Sequence, residues 1–444
     1  MKIAIFLLMM AGQATPADTL HLSLGDAVGR ALEANSSLQA QRAKAEARAQ
    51  LPLQASPAFL PSVSLGLQGM KTTDPVGVFG LKLRQENFQA EDLSLEALNR
   101  PDAYSGYNAT ATVQMPILAP EGIYGFQAAR KAAEAEMAGA RRAAGATRFF
   151  TVQAYTGALL AARQVEALDA ALEAVRGHVN QAEAMREQGL VTGLDSRMAG
   201  LKASEIEVKR LAAEAQAQNA LSALKAILDL PESTQLTLTD DLYAHVPPSQ
   251  CVTESGEQNP ECTWESRGDL QAYAAGAEAA AKGVKKAWAS QLPAVAAFGA
   301  VGHYAQDAPF KDGSGDWTFG IGLSWSPFNG LAGVGAVRAA KAEEAAVNAE
   351  RDAAFRQAEV EVLQALRMLE AAEEGVSVAS RASAEAQIAL EQAQARYASG
   401  TAPITELLDV QAASTNATLS ELSARRDLVL AHAALDLAYG VFDR

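Results

Sequence analysis

The sequence predicts an α+β membrane protein in which long antiparallel coiled-coil hairpins alternate with pairs of β-strands. The first observation behind this prediction is an internal repeat. Gly189 and Gly400 are 211 residues apart, and so are Pro116 and Pro327. The second is that segments alternating with the period of a strand precede proline-free helical segments in both halves. A chain of 444 residues could hold two or three ordinary domains, so the repeat favours one architecture built twice, a tandem duplication.

The domain organisation follows from the repeat and from a candidate export signal. Met1-Lys2 and the apolar run that follows them resemble a secretory signal, although a buried first helix would have a similar pattern. The predicted regions are a signal peptide at 1–17, a first repeat at 18–230, an equatorial linker at 231–263 and a second repeat at 264–444. No later apolar run has the ~18 residues of a spanning helix. An exported chain of this kind belongs in the periplasm, outside the cell or in a β-barrel membrane.

Charge and cysteine content restrict the possible partners. The formal net charge of −15 argues against nucleic-acid binding, since phosphate backbones recruit Lys and Arg. Cys251 and Cys262 lie close together in the polar linker, and in an oxidising compartment they could form a disulfide. Two free thiols are the alternative. A metal site is not expected, because no histidine lies near this pair.

Four segments are predicted as strands. Val63, Leu65 and Leu67 alternate with small polar residues, as do Tyr107 to Met115 and, more weakly, 294–304. The fourth strand alternates clearly over Trp317 to Trp325. The segment 71–105 is predicted to be a long loop, because prolines and glycines interrupt it.

The helical predictions are longer. One helix is expected from Ser23 to about Gln50, and about 65 helical residues, ~100 Å, are expected between 122 and 188. A seam with 4-3 spacing indicates a coiled coil, although an ordinary amphipathic helix is the alternative. Its positions are Ala154, Ala158, Ala161, Val165, Leu168, Leu172, Val175, Val179 and Ala182. Gly189 and Gly400 are expected to end helices in the left-handed conformation, with Pro403 in the first turn of the last helix.

The strands raise a problem of closure. A strand in lipid must have every backbone group paired, which requires a closed barrel, and known barrels have about eight or more strands. Four strands cannot close a barrel, so several copies would have to share their strands. Trp317 and Trp325 are about 26 Å apart along a strand, a spacing that suits the two aromatic girdles of a lipid band. A periplasmic β-sandwich with helical arms is the alternative.

At this point the chain resembles the TolC-type outer-membrane efflux ducts. The resemblance rests on the duplicated helix–strand–strand–helix–tip–helix order, the Leu-Pro-x-Val strand entries, the Pro116 and Pro327 strand exits, and the two glycine tips. It implies a homotrimer with a shared 12-stranded barrel and a helical periplasmic tunnel. It further implies a passive outer-membrane exit duct of a tripartite efflux or type I secretion system. The implied partners are a periplasmic adaptor, an inner-membrane transporter and outer-membrane lipid, without a cofactor.

The resemblance also assigns roles to residues at the tips. Glu406 and Asp409 would form an acidic ring at the periplasmic entrance, since carboxylate rings attract cations. A helix start with acids favoured by the helix dipole is the simpler interpretation of the same pair. Tyr397 and Asp195 match positions that keep the tunnel closed by hydrogen bonding, although a core aromatic on the helix seam is the alternative for Tyr397. Ala402 replaces an Arg of the compared family member, which removes an inter-subunit salt link.

The predicted adaptor-docking tips are Gly189, Leu190, Gly400 and Thr401, although turn chemistry alone would need such residues. No phosphate loop, His-Glu-x-x-His or Gly-x-Ser-x-Gly element occurs, so no catalytic residue is proposed and an enzyme is not expected. The rival to a duct is an exported periplasmic coiled-coil scaffold or binding protein without a pore.

Overall fold

The computed structural model describes residues 19–242, 249–252, 259 and 262–443. The predicted signal peptide and part of the linker lie outside these residues. The β-strands are β1 (Leu20–Leu22), β2 (Ser62–Thr72), β3 (Tyr104–Leu118), β4 (Leu236–Leu238), β5 (Ala294–Ala305) and β6 (Gly313–Ser324). The α-helices are α1 (Leu24–Ala34), α2 (Ser36–Ala49), α3 (Leu51–Gln54), α4 (Pro75–Arg84), α5 (Leu95–Asn99), α6 (Pro120–Glu187), α7 (Gly193–Ile227), α8 (Gly268–Ala289), α9 (Ala332–Ala398) and α10 (Ile404–Ala438).

The chain divides into two compact units. The helical unit comprises the described parts of Met1–Lys44, Ala138–Gln271 and Ala353–Arg444. The sheet unit comprises Ala45–Met137 and Ala272–Asp352. Each unit therefore takes segments from both predicted repeats.

The sheet unit contains one antiparallel sheet in the order β2-β3-β5-β6. Its register sorts the side chains into two faces, because successive residues of a strand point to opposite sides. Leu65, Ala111, Val301 and Trp317 form one cross-strand row on the apolar face. The neighbouring row on the polar face is Ser64, Thr112, Ala300 and Thr318. The alternation predicted from the sequence is thus present, and the sheet has one apolar and one polar face.

The core of the helical unit lies between two helical hairpins, α6 with α7 and α9 with α10. One cluster takes Val175 from α6, Ile206 from α7, Leu390 from α9 and Leu407 from α10. Every position of the predicted α6 seam is buried or half-buried. Among the described residues, no helix combines the length and hydropathy needed to cross a membrane.

The helix predicted from Ser23 to Gln50 is two helices, because Asn35 interrupts it. The Asn35 Oδ1 accepts from the Leu38 N–H at 2.9 Å, and its Nδ2 donates to the Ile227 carbonyl at 2.9 Å. Asn35 therefore caps α2 with its side chain and is held by the end of α7 at the same time. The prediction of one helix was wrong at this residue, since the partner carbonyl is remote in sequence.

The prediction of a long loop at 71–105 was also wrong in part. This segment contains α4 and α5. The Asp74 carboxylate accepts from the Gly77 N–H at 2.6 Å, and Pro75 occupies the first turn of α4, where a missing N–H costs nothing. Pro75 and Gly77, which were interpreted as helix breakers, thus form a helix start, and Gly80 lies inside α4.

At the second tip, the start of α10 differs from the prediction by one residue. Pro403 is the N-cap of α10, with an extended backbone at φ −73° and ψ 157°, and the helix begins at Ile404. Pro403 was expected one position further on, in the first helical turn.

A two-stranded parallel sheet in the helical unit was not predicted. β1 pairs with β4, with Leu20 opposite Leu236 and Leu22 opposite Leu238. Each strand has three residues, too few for alternation to be recognised in the sequence. Tyr155 of α6 donates to the Leu22 carbonyl at 2.9 Å and holds this pair against the helix.

The beginning of α8 lies in a charged network whose buried members are Arg267 and Asp443. Arg267 is bound to Asp269 at 2.7 Å and to Glu361 at 2.8 Å, and its side chain is 4% exposed. The Asp443 carboxylate accepts from the Gly268 N–H at 2.8 Å and lies 3.6 Å from Arg142. This carboxylate satisfies a free donor at the helix N-terminus, where the helix dipole favours negative charge.

Candidate functional site

The two hairpin tips have the same backbone structure. At the first tip, Gly189 has φ +75°, and its N–H donates to the Arg186 carbonyl at 2.9 Å. The Leu190 N–H reaches back to the Met185 carbonyl at 2.9 Å. These two bonds define a Schellman motif, and glycine suits its left-handed position because it has no Cβ.

The second tip repeats this arrangement. Gly400 has φ +71°, its N–H donates to the Tyr397 carbonyl at 3.0 Å, and the Thr401 N–H donates to the Arg396 carbonyl at 2.9 Å. Leu190 is 66% exposed and Thr401 is also exposed. The structure therefore leaves the four residues assigned to docking at two solvent-facing turns.

The two predicted ring acids follow the second tip on α10. The Arg396 guanidinium of α9 lies 2.5 Å from the Glu406 carboxylate, an ion pair that joins the two helices of this hairpin. Asp409 is exposed one turn further on. A ring of such acids needs several chains. The structure of one chain shows only the local surroundings of each acid.

Tyr397 and Asp195, the predicted closure pair, are close but not hydrogen-bonded. Tyr397 is 2% exposed, and its hydroxyl has no hydrogen-bond partner within the described residues. Burial raises the pKa of Tyr397, and the nearby Asp195 carboxylate raises it further. Asp195 itself accepts from the Thr192 N–H at 3.1 Å, which stabilises the start of α7. Tyr397 belongs to the core between the hairpins.

A buried histidine near this core was missed by the sequence analysis. His178 of α6 is 7% exposed, and Gln411 of α10 is 6% exposed. Neither the His178 Nε2 nor the Gln411 Oε1 has a hydrogen-bond partner among the described residues. Burial lowers the pKa of His178, and Gln411 partly opposes this shift. His178 lies three residues after Val175 and four before Ala182, both in the predicted seam, and this helical spacing was the available signal.

This histidine should make the packing of the two hairpins sensitive to acid. A lowered pKa in the folded chain means that the stability is complete above the ordinary value of 6.5 and is lost as the pH falls toward the folded value. We expect the apparent melting temperature of the detergent-solubilised protein to drop between about pH 7 and about pH 5. The His178→Gln variant should show a smaller drop.

The matched control is His21→Gln, since His21 is exposed in the same unit. It should keep the acid sensitivity of the parent protein. His432 also has a pKa lowered by burial and accounts for sensitivity that remains in His178→Gln. An acid response that is identical in the parent and in His178→Gln would contradict the prediction.

The predicted girdle tryptophans are both on the surface of the sheet unit. Trp317 is 77% exposed and lies within β6. Trp325 is 56% exposed, follows the last residue of β6, and donates its Nε1–H to the Gln291 carbonyl at 3.1 Å. An exposed ring with a hydrogen-bonded N–H suits a boundary between lipid and water.

Cys251 and Cys262 are joined by a disulfide, and both are buried in a cluster with α10. Ser249 anchors this segment to α10: its N–H donates to the His432 Nδ1 at 3.1 Å, and its hydroxyl donates to the Asp436 carboxylate. Burial raises the pKa of Asp436. Within the described residues no group of three or more metal-binding side chains is found.

Comparison with known proteins identifies the class of this fold. The outer-membrane channel OprN has 19% identity and a TM-score of 0.78, with 95% of this chain and 91% of that chain covered. A membrane protein from Pseudomonas aeruginosa has 22% identity and a TM-score of 0.77, covering 94% and 93%. The outer membrane protein VceC from Vibrio cholerae has 20% identity and a TM-score of 0.76, covering 94% and 96%. The fold is therefore that of outer-membrane channels.

A family model matches part of the chain. Residues 261–441 match the sequence model of the outer membrane efflux protein family. The resemblance to TolC-type efflux ducts and the predicted outer-membrane location are thereby confirmed. This family and the similar structures are channels rather than enzymes. No curated protein matches the chain.

Proposed function

We propose that this chain is the passive exit duct of a tripartite efflux or type I secretion system. Three copies form a 12-stranded barrel in the outer membrane, and their helical hairpins form a tunnel in the periplasm. A periplasmic adaptor docks at the tips and connects the duct to an inner-membrane transporter. The tandem duplication is part of this proposal, and the matching turns at Gly189 and Gly400 support it.

The unpaired edges of the sheet carry the proposal. β2 and β6 each pair with one strand in the described part of the chain, although both have exposed apolar residues such as Leu65 and Phe319. In lipid, unpaired backbone groups cost several kcal/mol each. Pairing of β6 with β2 of the next copy would satisfy both edges, and repetition of this contact would close a barrel.

The tips supply the periplasmic end of the proposed duct. The turns at Leu190 and Thr401 are available to an adaptor because their side chains face solvent. Tyr397 closes the tunnel by packing in the core between the hairpins, with Asp195 beside it. Glu406 and Asp409 provide the acidic entrance.

Cysteine cross-linking between edge strands tests the shared barrel. Single cysteines are placed on the apolar face of β2, at Val63, Leu65 or Leu67, and each is combined with Phe319→Cys on β6. If β6 pairs with β2 of the next copy, oxidation in isolated membranes should produce a ladder that ends at three chains for the pair in register.

The matched control places both cysteines on central strands, as Ala111→Cys with Val301→Cys, which are opposite each other within one chain. It should form an internal disulfide and migrate as one chain. If the protein stays monomeric on oxidation with every pair of cysteines on β2 and β6, the proposed duct is wrong. Such a result would favour an exported coiled-coil scaffold instead.

A further inference from the structure

The segment between β2 and β3 folds back over the sheet at its loop end, the end where β2 and β5 finish and β3 and β6 begin. A Cβ at Gly106 of β3 would lie 2.7 Å from the Gln85 side chain and 2.9 Å from Leu81, so α4 packs directly on this strand. Gly106 is six residues from Thr112 and therefore lies on the same, polar face. The helix α4 thus covers the polar face at the loop end.

Contacts with three strands hold α4 in this position. The Gln85 Nε2 donates to the Ala305 carbonyl of β5 at 3.2 Å, and the Tyr104 hydroxyl of β3 donates to the Gln85 Oε1 at 2.8 Å. The Ser314 hydroxyl of β6 donates to the Arg84 carbonyl. Gln85 is 5% exposed, so it is a buried anchor between the helix and the sheet. The orientation of α4 about its own axis is therefore fixed.

The side of α4 that points away from the sheet is apolar and uncovered. Leu81 and Gln85 mark the side towards the sheet, and at about 100° per residue Val76, Gly80 and Leu83 lie on the opposite side. Val76 is 79% exposed and Leu83 is 49% exposed. A Cβ at Gly80 would have nothing within 4 Å. We call Val76, Gly80 and Leu83 the free face of α4.

In the proposed barrel the free face points towards the barrel axis, because the polar face of the sheet lines the interior. Twelve strands spaced about 4.8 Å apart and tilted by about 40° enclose a cylinder about 24 Å across. Three touching helices, each ~10–12 Å in diameter with side chains, need about the same width. Three copies of α4 therefore occupy most of this cross-section, and their free faces come together at the axis.

The free face suits contact with copies of itself. It carries no charge, so like-charge repulsion does not oppose the contact, and its apolar side chains are unfavourable in water. The nearby basic side chains are engaged elsewhere: Lys82 pairs with Asp92 at 2.5 Å, and the Arg84 guanidinium lies 5.3 Å from the centre of the Tyr304 ring. Gly80 in the middle of this face allows two helix backbones to approach closely.

We infer that the three copies of α4 meet at the axis of the duct and form an apolar constriction lined by Val76, Gly80 and Leu83 of each chain. The inference rests on the proposed function for the three copies and for the closed barrel. The loop end is the outer exit of this duct, because β3 continues into α6 and β6 into α9 at the other end of the sheet. The free face of α4 therefore limits what leaves the duct.

Oxidation of single-cysteine variants in isolated membranes tests the contact, with Cys251 and Cys262 already bonded to each other. At least one of Val76→Cys and Leu83→Cys should give a band of two linked chains, because one sulfur joins only one other. Gln68→Cys is the matched control, exposed on the polar face of β2. Its copies on the barrel wall are about 20 Å apart, whereas a disulfide needs Cα atoms within roughly 7 Å, so it should stay unlinked.

Single-channel conductance is the second test. Leu83→Ser should raise the conductance about twofold or more, since hydrophobic constrictions restrict ions by dewetting. Gly80→Leu should lower it, because the added side chain has space within one chain but not at the axis. Phe310→Ser, which removes a 73% exposed ring beside Leu65 on the apolar side of the sheet, should conduct as the parent protein does.

Two results would overturn the constriction. One is the absence of linked chains with both α4 cysteines, and the other is parent-like conductance in both Leu83→Ser and Gly80→Leu. The cross-links between β2 and β6 separate this failure from failure of the proposed function. If those cross-links still reach three chains, the constriction is wrong and the duct remains.

Discussion

Replacement of Arg267 by alanine is expected to lower the free energy of unfolding by about 2–3 kcal/mol. The guanidinium is almost fully buried and is paired with Asp269 and Glu361. Its removal leaves Asp269 of α8 with Arg142 alone, at 3.6 Å, takes this partner from Glu361 of α9, and empties a buried site. The penalty comes from these lost charge-assisted hydrogen bonds. The apparent melting temperature of the helical signal in detergent, by circular dichroism, measures the effect.

Arg351→Ala is the matched control. Arg351 also pairs with an aspartate at 2.7 Å, but the two side chains are 37% and 53% exposed. Exposed pairs contribute ~0–1 kcal/mol, so this variant should melt close to the parent protein. Equal decreases in the melting temperatures of the two variants would show that the burial of Arg267 adds nothing to the stability.

Replacement of both Glu406 and Asp409 by alanine is expected to abolish the cation preference of the proposed duct. Arg396, Glu406 and Asp409 together carry a charge of −1 per chain. Without the two acids, Arg396 alone gives +1. The excess negative charge at the entrance is thus lost, because the Asp195 carboxylate beside Tyr397 only balances Arg396. Reversal potentials of single channels in a salt gradient measure the change.

Glu96→Ala with Asp102→Ala removes the same charge from the segment between β2 and β3, where both residues are exposed. This control should keep most of the cation preference. Arg396→Ala should strengthen the preference, because Glu406 then loses its counter-ion. Unchanged selectivity in the Glu406 and Asp409 double variant would restrict these acids to a role at the helix start.

Local patterns in the sequence predicted the four strands of the antiparallel sheet, the long helices and the tips. Gly189 and Gly400 end helices because each adopts a positive φ in its own turn. The two faces of β2 can be recognised from the alternation of its own residues. These features depend on residues a few positions apart. They can therefore be recognised without knowledge of the remaining chain.

The features that were missed depend on partners remote in sequence. Asn35 interrupts a helix because the Ile227 carbonyl is within reach, and Arg267 is buried because Glu361 is beside it. His178 differs from an exposed helical histidine only through the packing of α10. Hydrophobic period alone cannot distinguish such positions, since one polar residue in a long seam changes the pattern little.

The parallel pairing of β1 with β4 has a consequence for the order of folding. Leu20 and Leu236 are 216 residues apart, and closing a flexible loop of this length costs about 5 kcal/mol, more than three-residue strands can offset. We expect the antiparallel hairpin of α6 and α7 to form first, because it returns the segment after α7 to Tyr155 of α6, whose hydroxyl bonds both the Leu22 carbonyl and the Asp240 carboxylate. During synthesis, we expect β1 to remain unpaired until both α6 and α7 have left the ribosome and packed together. The β1–β4 pair would then form late and in one step, after the first hairpin has folded.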